Sequence, residues 1–313
     1  MKQFYYTKLY RRLFMLFSIG LFFGGYAKAQ TSSQYSFSES AGTYTAISGT
    51  TSTATGDDGV QDGLPIGFSF VFGGNTYTTF SVSANGYLKL GSNIVTGTPN
   101  YDNGTHFATT TVANSNAPMI AGFWDDNGLD AASGGNIQYL TQGSPGTQTL
   151  TVQWTNCAFA TGGTGPNITF QIILHEGTNV IDIVYNGISA PETGVTATIG
   201  INSQPGDYLS ITPGTPATAS STTANNSVNA SSTSILTSGT TYTFTPPAGC
   251  TTPPVGQTTA SVTSICANTS FTLGVTGIPV ASGYTYEFQS SPAGANTFTS
   301  LGAPQTSPSF TIT

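Results

Sequence analysis

Positive charge is nearly missing from this 313-residue chain once its first 29 residues are set aside. Five of its six basic residues (Lys2, Lys8, Arg11, Arg12 and Lys28) precede residue 30. Beyond that point Lys89 stands alone against thirteen acids, a net −12. Nucleic-acid binding needs Lys and Arg to displace counterions from phosphates, so that class is excluded, as is adhesion to anionic lipid. Charge of either sign is scarce, 6 % of residues against roughly 25 % in an ordinary soluble protein. The surface must therefore be built from hydroxyls and amides. Cysteine is limited to Cys157, Cys250 and Cys266, with no C-x-x-C, and neither H-E-x-x-H nor G-x-S-x-G occurs. Past residue 30 no window holds helical apolar spacing beyond two turns. No apolar run there reaches the roughly 20 residues that span a bilayer.

What is present begins with an export signal. A basic start (Met1 to Arg12) leads into an apolar run from Leu13 to about Phe23, then Ala27-Lys28-Ala29 as an A-x-A site before Gln30. We expect a cleavable signal peptide over residues 1–29, cut after Ala29, and hence a secreted or outer-surface location. An oxidising location permits a disulfide, and Cys250 with Cys266 is the nearest pair.

Short strand-like runs separated by turn residues fill the rest. They fall at 35–38, 43–47, 66–72, 77–83, 87–90, 119–124, 136–141, 148–154, 167–175, 180–185, 196–202, 209–212 and 241–245. The chain is organised around Leu64 to Leu90. There Phe68, Phe70 and Phe72 share one strand face, as do Phe80 and Val82, and the run breaks at Gly73-Gly74-Asn75 and Asn85-Gly86. Asn-Gly predicts a type I′ hairpin turn. These runs predict a three-strand meander packed against a second sheet seeded by residues 150–185. Residues 119–124, with no polar alternation, predict a strand buried on both faces. The expected class is all-β: an antiparallel β-sandwich or jelly-roll-like domain over 30–247. Residues 214–239 read as a long surface loop and 248–256 as a Pro/Thr linker. Residues 257–313, with runs at 261–263, 270–275 and 284–290, read as a partial Ig-like domain, truncated or completed by another chain.

Chemistry-bearing candidates are few. Asp57, Asp58 and Asp62, and Asp125, Asp126 and Asp130, cluster on Gly- and Asn-rich turns of the kind calcium uses, since it takes six to eight oxygens. Trp124 beside Asp125 and Asp126, with Tyr87 a weaker alternative, is the candidate for stacking on a sugar, against the alternative that such aromatics fill the core. The four glutamates show no pairing suited to glycoside hydrolysis. Cys157 with His175 is readable as a dyad, but both lie in β-rich runs. His106 sits in a turn.

Two stretches carry a resemblance. Pro65-Ile66-Gly67-Phe68, Val82-Ser83-Ala84-Asn85-Gly86-Tyr87 and Phe123-Trp124-Asp125-Asp126 resemble the N-terminal module of large secreted Bacteroidetes surface proteins, and distantly the extracellular nidogen-type (NIDO) domain. Residues 264–292 are similar to the Ig-like repeats of the same proteins, with Phe288 where those repeats usually carry Trp. The resemblance implies type IX secretion, and that Cys266, and with it Cys250, pairs beyond Thr313. Together these readings favour a non-catalytic cell-surface binding or adhesion module of a larger protein, with an extracellular glycan or protein as ligand. The alternative is an accessory module of a secreted hydrolase whose catalytic domain lies outside this chain.

Overall fold

The computed structural model describes residues 31–91, 93–104, 106–110, 115–159, 168–188, 196–223, 236–247, 257–261, 270–276, 286–290, 297–307 and 309–312. The leader, residues 248–256, Cys250 and Cys266 lie outside them. The chain divides into two compact units, one of Ala27–Gly249 and one that includes Cys250–Thr313.

The first unit is a sandwich of two seven-stranded antiparallel sheets. Sheet one runs in the order β1 (Ser36–Ala41), β14 (Ser238–Thr245), β10 (Ile181–Ile188), β9 (Ile168–His175), β8 (Thr149–Cys157), β7 (Asn136–Gln142), β2 (Thr50–Thr51). Sheet two runs β13 (Thr218–Ser220), β12 (Asp207–Thr212), β11 (Thr198–Gln204), β6 (Met119–Trp124), β5 (Tyr87–Leu90), β4 (Asn75–Ser83), β3 (Val60–Phe72).

Period-two alternation builds the core. Leu64, Ile66, Phe68, Phe70 and Phe72 of β3 all point inward, as do Phe80 and Val82 of β4. Opposite them stand Leu150, Val152 and Trp154, then Phe170, Ile172 and Leu174, each buried. Trp154 and Phe170 stack with ring centroids 5.0 Å apart. Burying each such side chain contributes about 1.5–3 kcal/mol. The aromatic polar tips tie the layers together: Trp154 Nε1 donates to Ser83 O at 2.8 Å and Tyr185 Oη to Gly122 O at 2.6 Å. β6 is buried along its whole length, as its unbroken apolar run predicts. Its Gly122 is there for space, because a Cβ at that position would meet the Phe170 ring at 2.2 Å.

Both lateral seams are bridged by side-chain hydrogen bonds. The long edge strand β3 carries Pro65 and register shifts, and side chains of sheet one reach its free backbone groups. Thr141 Oγ1 donates to Ile66 O, and Val71 N donates to Asn179 Oδ1. At the other seam Glu39 of β1 accepts from Ala217 N, just ahead of β13. β14 pairs with both β1 and β10, so the low-complexity stretch before it leads back into sheet one.

Two local expectations are corrected. Of Asn85-Gly86 only Gly86 has positive φ, so their turn is a three-residue loop ending in a left-handed glycine. The type I′ geometry falls at Gly73-Gly74 instead, with φ of 58° and 76°. Residues 43–47 form no strand. They run across sheet one from Gly42, whose N donates to Gly239 O in β14, to Gly49 beside Tyr139 of β7. Four inter-strand gaps at ~4.8 Å make about 19 Å, and seven residue steps reach at most about 25 Å. The segment is thus nearly stretched out, and its orientation prevents ladder pairing.

In the second unit, β16 (Phe271–Thr276) pairs with β15 (Gln257–Ala260) and β19 (Ser309–Ile312), and β17 (Gln289–Ser290) with β18 (Thr299–Ser300). Leu273, Tyr286 and Phe288 form its core, and Phe288 stacks on Phe310 at 5.6 Å.

Candidate functional site

The Asn-Gly and Phe-Trp-Asp-Asp motifs meet at one end of sheet two. Gly86 O accepts from both Gly122 N and Phe123 N at 3.1 Å, while Asn85 Oδ1 accepts from Asn127 N at 2.8 Å. Gly86 has φ +87°, and a Cβ there would lie 2.0 Å from Phe123 O, so only glycine fits. The spacing of the two motifs is therefore explained by a backbone clasp between β5 and β6.

Beside the clasp, the described residues between 91 and 118 lie over the outer face of the sheet after β5. They bring Ile94 and Phe107 onto Tyr87, Met119, Trp124 and Tyr208. At the centre is Asn100, fully buried in α1 (Thr98–Tyr101). Its Oδ1 accepts from Ser83 Oγ at 2.7 Å and Tyr87 Oη at 2.8 Å. Its Nδ2 donates to Asp58 Oδ1 at 3.2 Å, and its carbonyl accepts from Trp124 Nε1 at 2.9 Å. Asn116 Nδ2 donates to Tyr87 Oη and Pro99 O, and Asn103 Nδ2 to Trp124 O and Thr196 O.

Trp124 and Tyr87 are 1 % and 0 % exposed. This corrects the expectation that they stack on a ligand: a sugar needs an open ring face, and both rings are enclosed in a cluster with Ile94, Phe107 and Tyr208 and bonded to Asn100. The amides that enclose them were not singled out in the sequence, although the asparagines at 93, 100, 103, 114, 116 and 127 are dense enough to have signalled a polar network.

The six aspartates are dispersed among different tasks. Asp58 Oδ1 accepts from Asn85 Nδ2 and Asn100 Nδ2, and Asp62 Oδ1 from Ile94 N. Asp125 Oδ2 accepts from Thr196 N at 2.9 Å, and burial raises its pKa against that bond. Asp130 caps the turn at Ala131–Ser133, where Ser133 Oγ and Ala132 N hold its carboxyl below its ordinary value. Asp57, Asp58 and Asp126 lie near enough to interact, since burial, then the charges of Asp126 and Asp58, raise Asp57, and Asp126 also raises Asp125. No group of three or more His, Cys, Asp or Glu side chains among the described residues is placed to hold a metal ion. Neither expected calcium triplet is thus assembled, because Asn85, Asn100 and Ile94 draw in Asp58 and Asp62 while Thr196 engages Asp125 and the turn at Ala131–Ser133 engages Asp130.

Cys157 lies in the core, its thiol pushed up to about 12 by burial, and Sγ donates to Ala84 O. His175 faces outward from β9 and bonds Asp182 of β10 at 2.8 Å. The two form no dyad.

The outer face of sheet one is different. Register places Gln138, Gln153, Gln171, Val184 and Thr241 in one cross-strand row, and Leu140, Thr151, Ile173, Asp182 and Thr243 in the next. Residues 43–48 are tied down on the first row: Gln153 Oε1 accepts from Ile47 N at 3.0 Å, and Gln171 Nε2 donates to Thr45 O at 2.7 Å. Gln171 Nε2 also donates to Gln153 Oε1 at 2.8 Å. Beside this strap runs a groove of about 370 Å³ over Leu140, Thr151 and Ile173. His175, Asp182 and Thr243 form a second tie across β9, β10 and β14. Burial alone would raise Asp182, but hydrogen bonds from His175 and Thr243 and the His175 charge outweigh it and hold the carboxyl low.

Fold and geometry define a two-sheet, all-β module whose motif residues lock its own loops. Residues 34–246 match the family described as NIDO related, and the chain belongs to that family. No curated protein and no solved structure matches it. No helix among the described residues is long and apolar enough to cross a membrane.

Proposed function

We propose that the chain is a non-catalytic, extracellular binding or adhesion module of a larger secreted or surface protein, exported through a signal peptide cut after Ala29. Membership of the NIDO-related family over 34–246 is the observation that carries this reading. The internal engagement of the reactive-looking side chains supports it: Cys157 is buried, His175 is bonded to Asp182, and Asp58, Asp62, Asp125 and Asp130 bind backbone or amide groups. Export by the type IX route belongs to the same proposal and rests on the sequence resemblance alone.

The test is a binding screen of the purified mature chain on panels of extracellular glycans and matrix proteins, with the natural product's intact mass and N-terminus determined in parallel. Saturable binding by a product starting at Gln30 is the expected result. A product that retains residues 1–29, or turnover of a panel member by the chain itself, overturns the proposal. The rival role as an accessory module of a secreted hydrolase predicts a heavier product with a catalytic domain in the same polypeptide.

A further inference from the structure

We propose that the groove between residues 43–48 and the outer face of sheet one binds a neutral saccharide segment of an extracellular glycan, an assignment that rests on the binding-module reading above. Its volume of about 370 Å³ is within the low range of small-ligand clefts, about 300–1,000 Å³. That suits one or two sugar units of a longer chain.

The lining carries no ionisable side chain, so nothing in the groove selects an anion or a cation. Leu140 and Ile173, both partly exposed, supply aliphatic surface for the C–H face of a sugar ring. Thr45, Ser48 and Gln142, all exposed, supply hydroxyls and an amide. Such groups both donate and accept, as sugar hydroxyls do, so one wall can serve a ligand whose every polar atom plays both parts.

The groove is also held in shape before any ligand arrives. Gln153 and Gln171, 4 % and 3 % exposed, anchor the strap from beneath through the two bonds given above. Tyr44 packs down with them, its hydroxyl pushed up to about 12 by burial. A wall fixed in this way loses little freedom on binding, which favours affinity. The larger groove of about 740 Å³ beside β1 lacks this character, since its Glu39 is engaged in closing the seam to Ala217.

The test is native affinity electrophoresis of the mature chain in gels containing a soluble β-glucan, a mannan, a galactan or, as a charged control, polygalacturonate. Two substitutions at exposed positions leave the anchors untouched: Ser48→Trp, which fills the mouth, and Gln142→Ala, which removes a rim amide. Retardation by at least one neutral polysaccharide is expected, weakened at least tenfold by Ser48→Trp and measurably by Gln142→Ala, with melting temperatures unchanged. Full retardation in both variants, or retardation by polygalacturonate alone, overturns the groove assignment and leaves the module reading standing. Retardation by none of the four also overturns it. In that case a purified matrix protein bound by the chain preserves the module reading, and no ligand of either kind removes both.

Discussion

The two sheets bury comparable inner faces, but their outer faces have opposite fates. Sheet two is covered by Ile94, Asn100 and Phe107 of the connection after β5, and its outward aromatics, Tyr87 and Trp124, disappear under an amide network centred on Asn100. Sheet one is crossed by a single strap, which leaves Leu140, Thr151 and Ile173 bordering a groove. The difference follows from connection length. A long excursion returns to the same sheet and supplies its own apolar cover, whereas the strap, stretched nearly taut across five strands, covers one row and no more. The side chains that look most like a ligand site in the sequence therefore stabilise the fold, and plainer Thr, Gln and Ile residues form the open surface.

This comparison can be broken experimentally. The largest effect is expected for Gly86→Ala, which forces a Cβ to 2.0 Å from Phe123 O at φ +87°. A loss of about 4 kcal/mol or more, or failure to fold, should appear in chemical denaturation. Gly63→Ala, at φ +73° with nothing within 4 Å, should cost only about 1–2 kcal/mol, the backbone strain alone. Equal losses would mean that the clasp is unimportant.

Trp124→Ala should cost about 3–5 kcal/mol and Asn100→Ala about 2–3 kcal/mol, because Tyr87, Ser83 and Asp58 lose a buried partner. Neither should alter glycan retardation under conditions where the variant stays folded. A selective loss of binding in folded Trp124→Ala would return the site to sheet two.

The two partly buried carboxylates should titrate in opposite senses. Asp182, on sheet one, has its pKa lowered, so its contribution is present above the unfolded value near 3.8 and is lost as pH falls through the folded one. Asp125, at the end of β6, has its pKa raised, so its ionisation costs stability as pH rises through the folded value. Denaturation of Asp182→Asn from pH 2 to 7 should show a flatter acid limb. Asp125→Asn, by contrast, should be unchanged or slightly stabilised at pH 7. A destabilised Asp125→Asn with an unchanged acid limb would contradict the assignment of burial as the dominant cause. The smallest effect is expected from chelation: EDTA, or millimolar calcium, should leave the melting temperature where it is. A calcium-dependent rise would show that Asp57, Asp58 and Asp126 converge on a cation after all.

Much of this architecture was legible in the sequence. Alternation at Phe68, Phe70 and Phe72, the unbroken run 119–124 and the Gly73-Gly74 break determined the strands, the central position of β6 and the all-β class. Those features are local, because a strand's period and a turn's φ belong to neighbouring residues. The site was less legible. Whether Trp124 is a platform or a core residue, whether 43–47 runs along a sheet or across it, and whether six aspartates meet or scatter depend on contacts between residues tens of positions apart. Only the tertiary structure decided them. A side chain's exposure is set by what the rest of the chain lays over it, and neither its own identity nor its neighbours' encodes that.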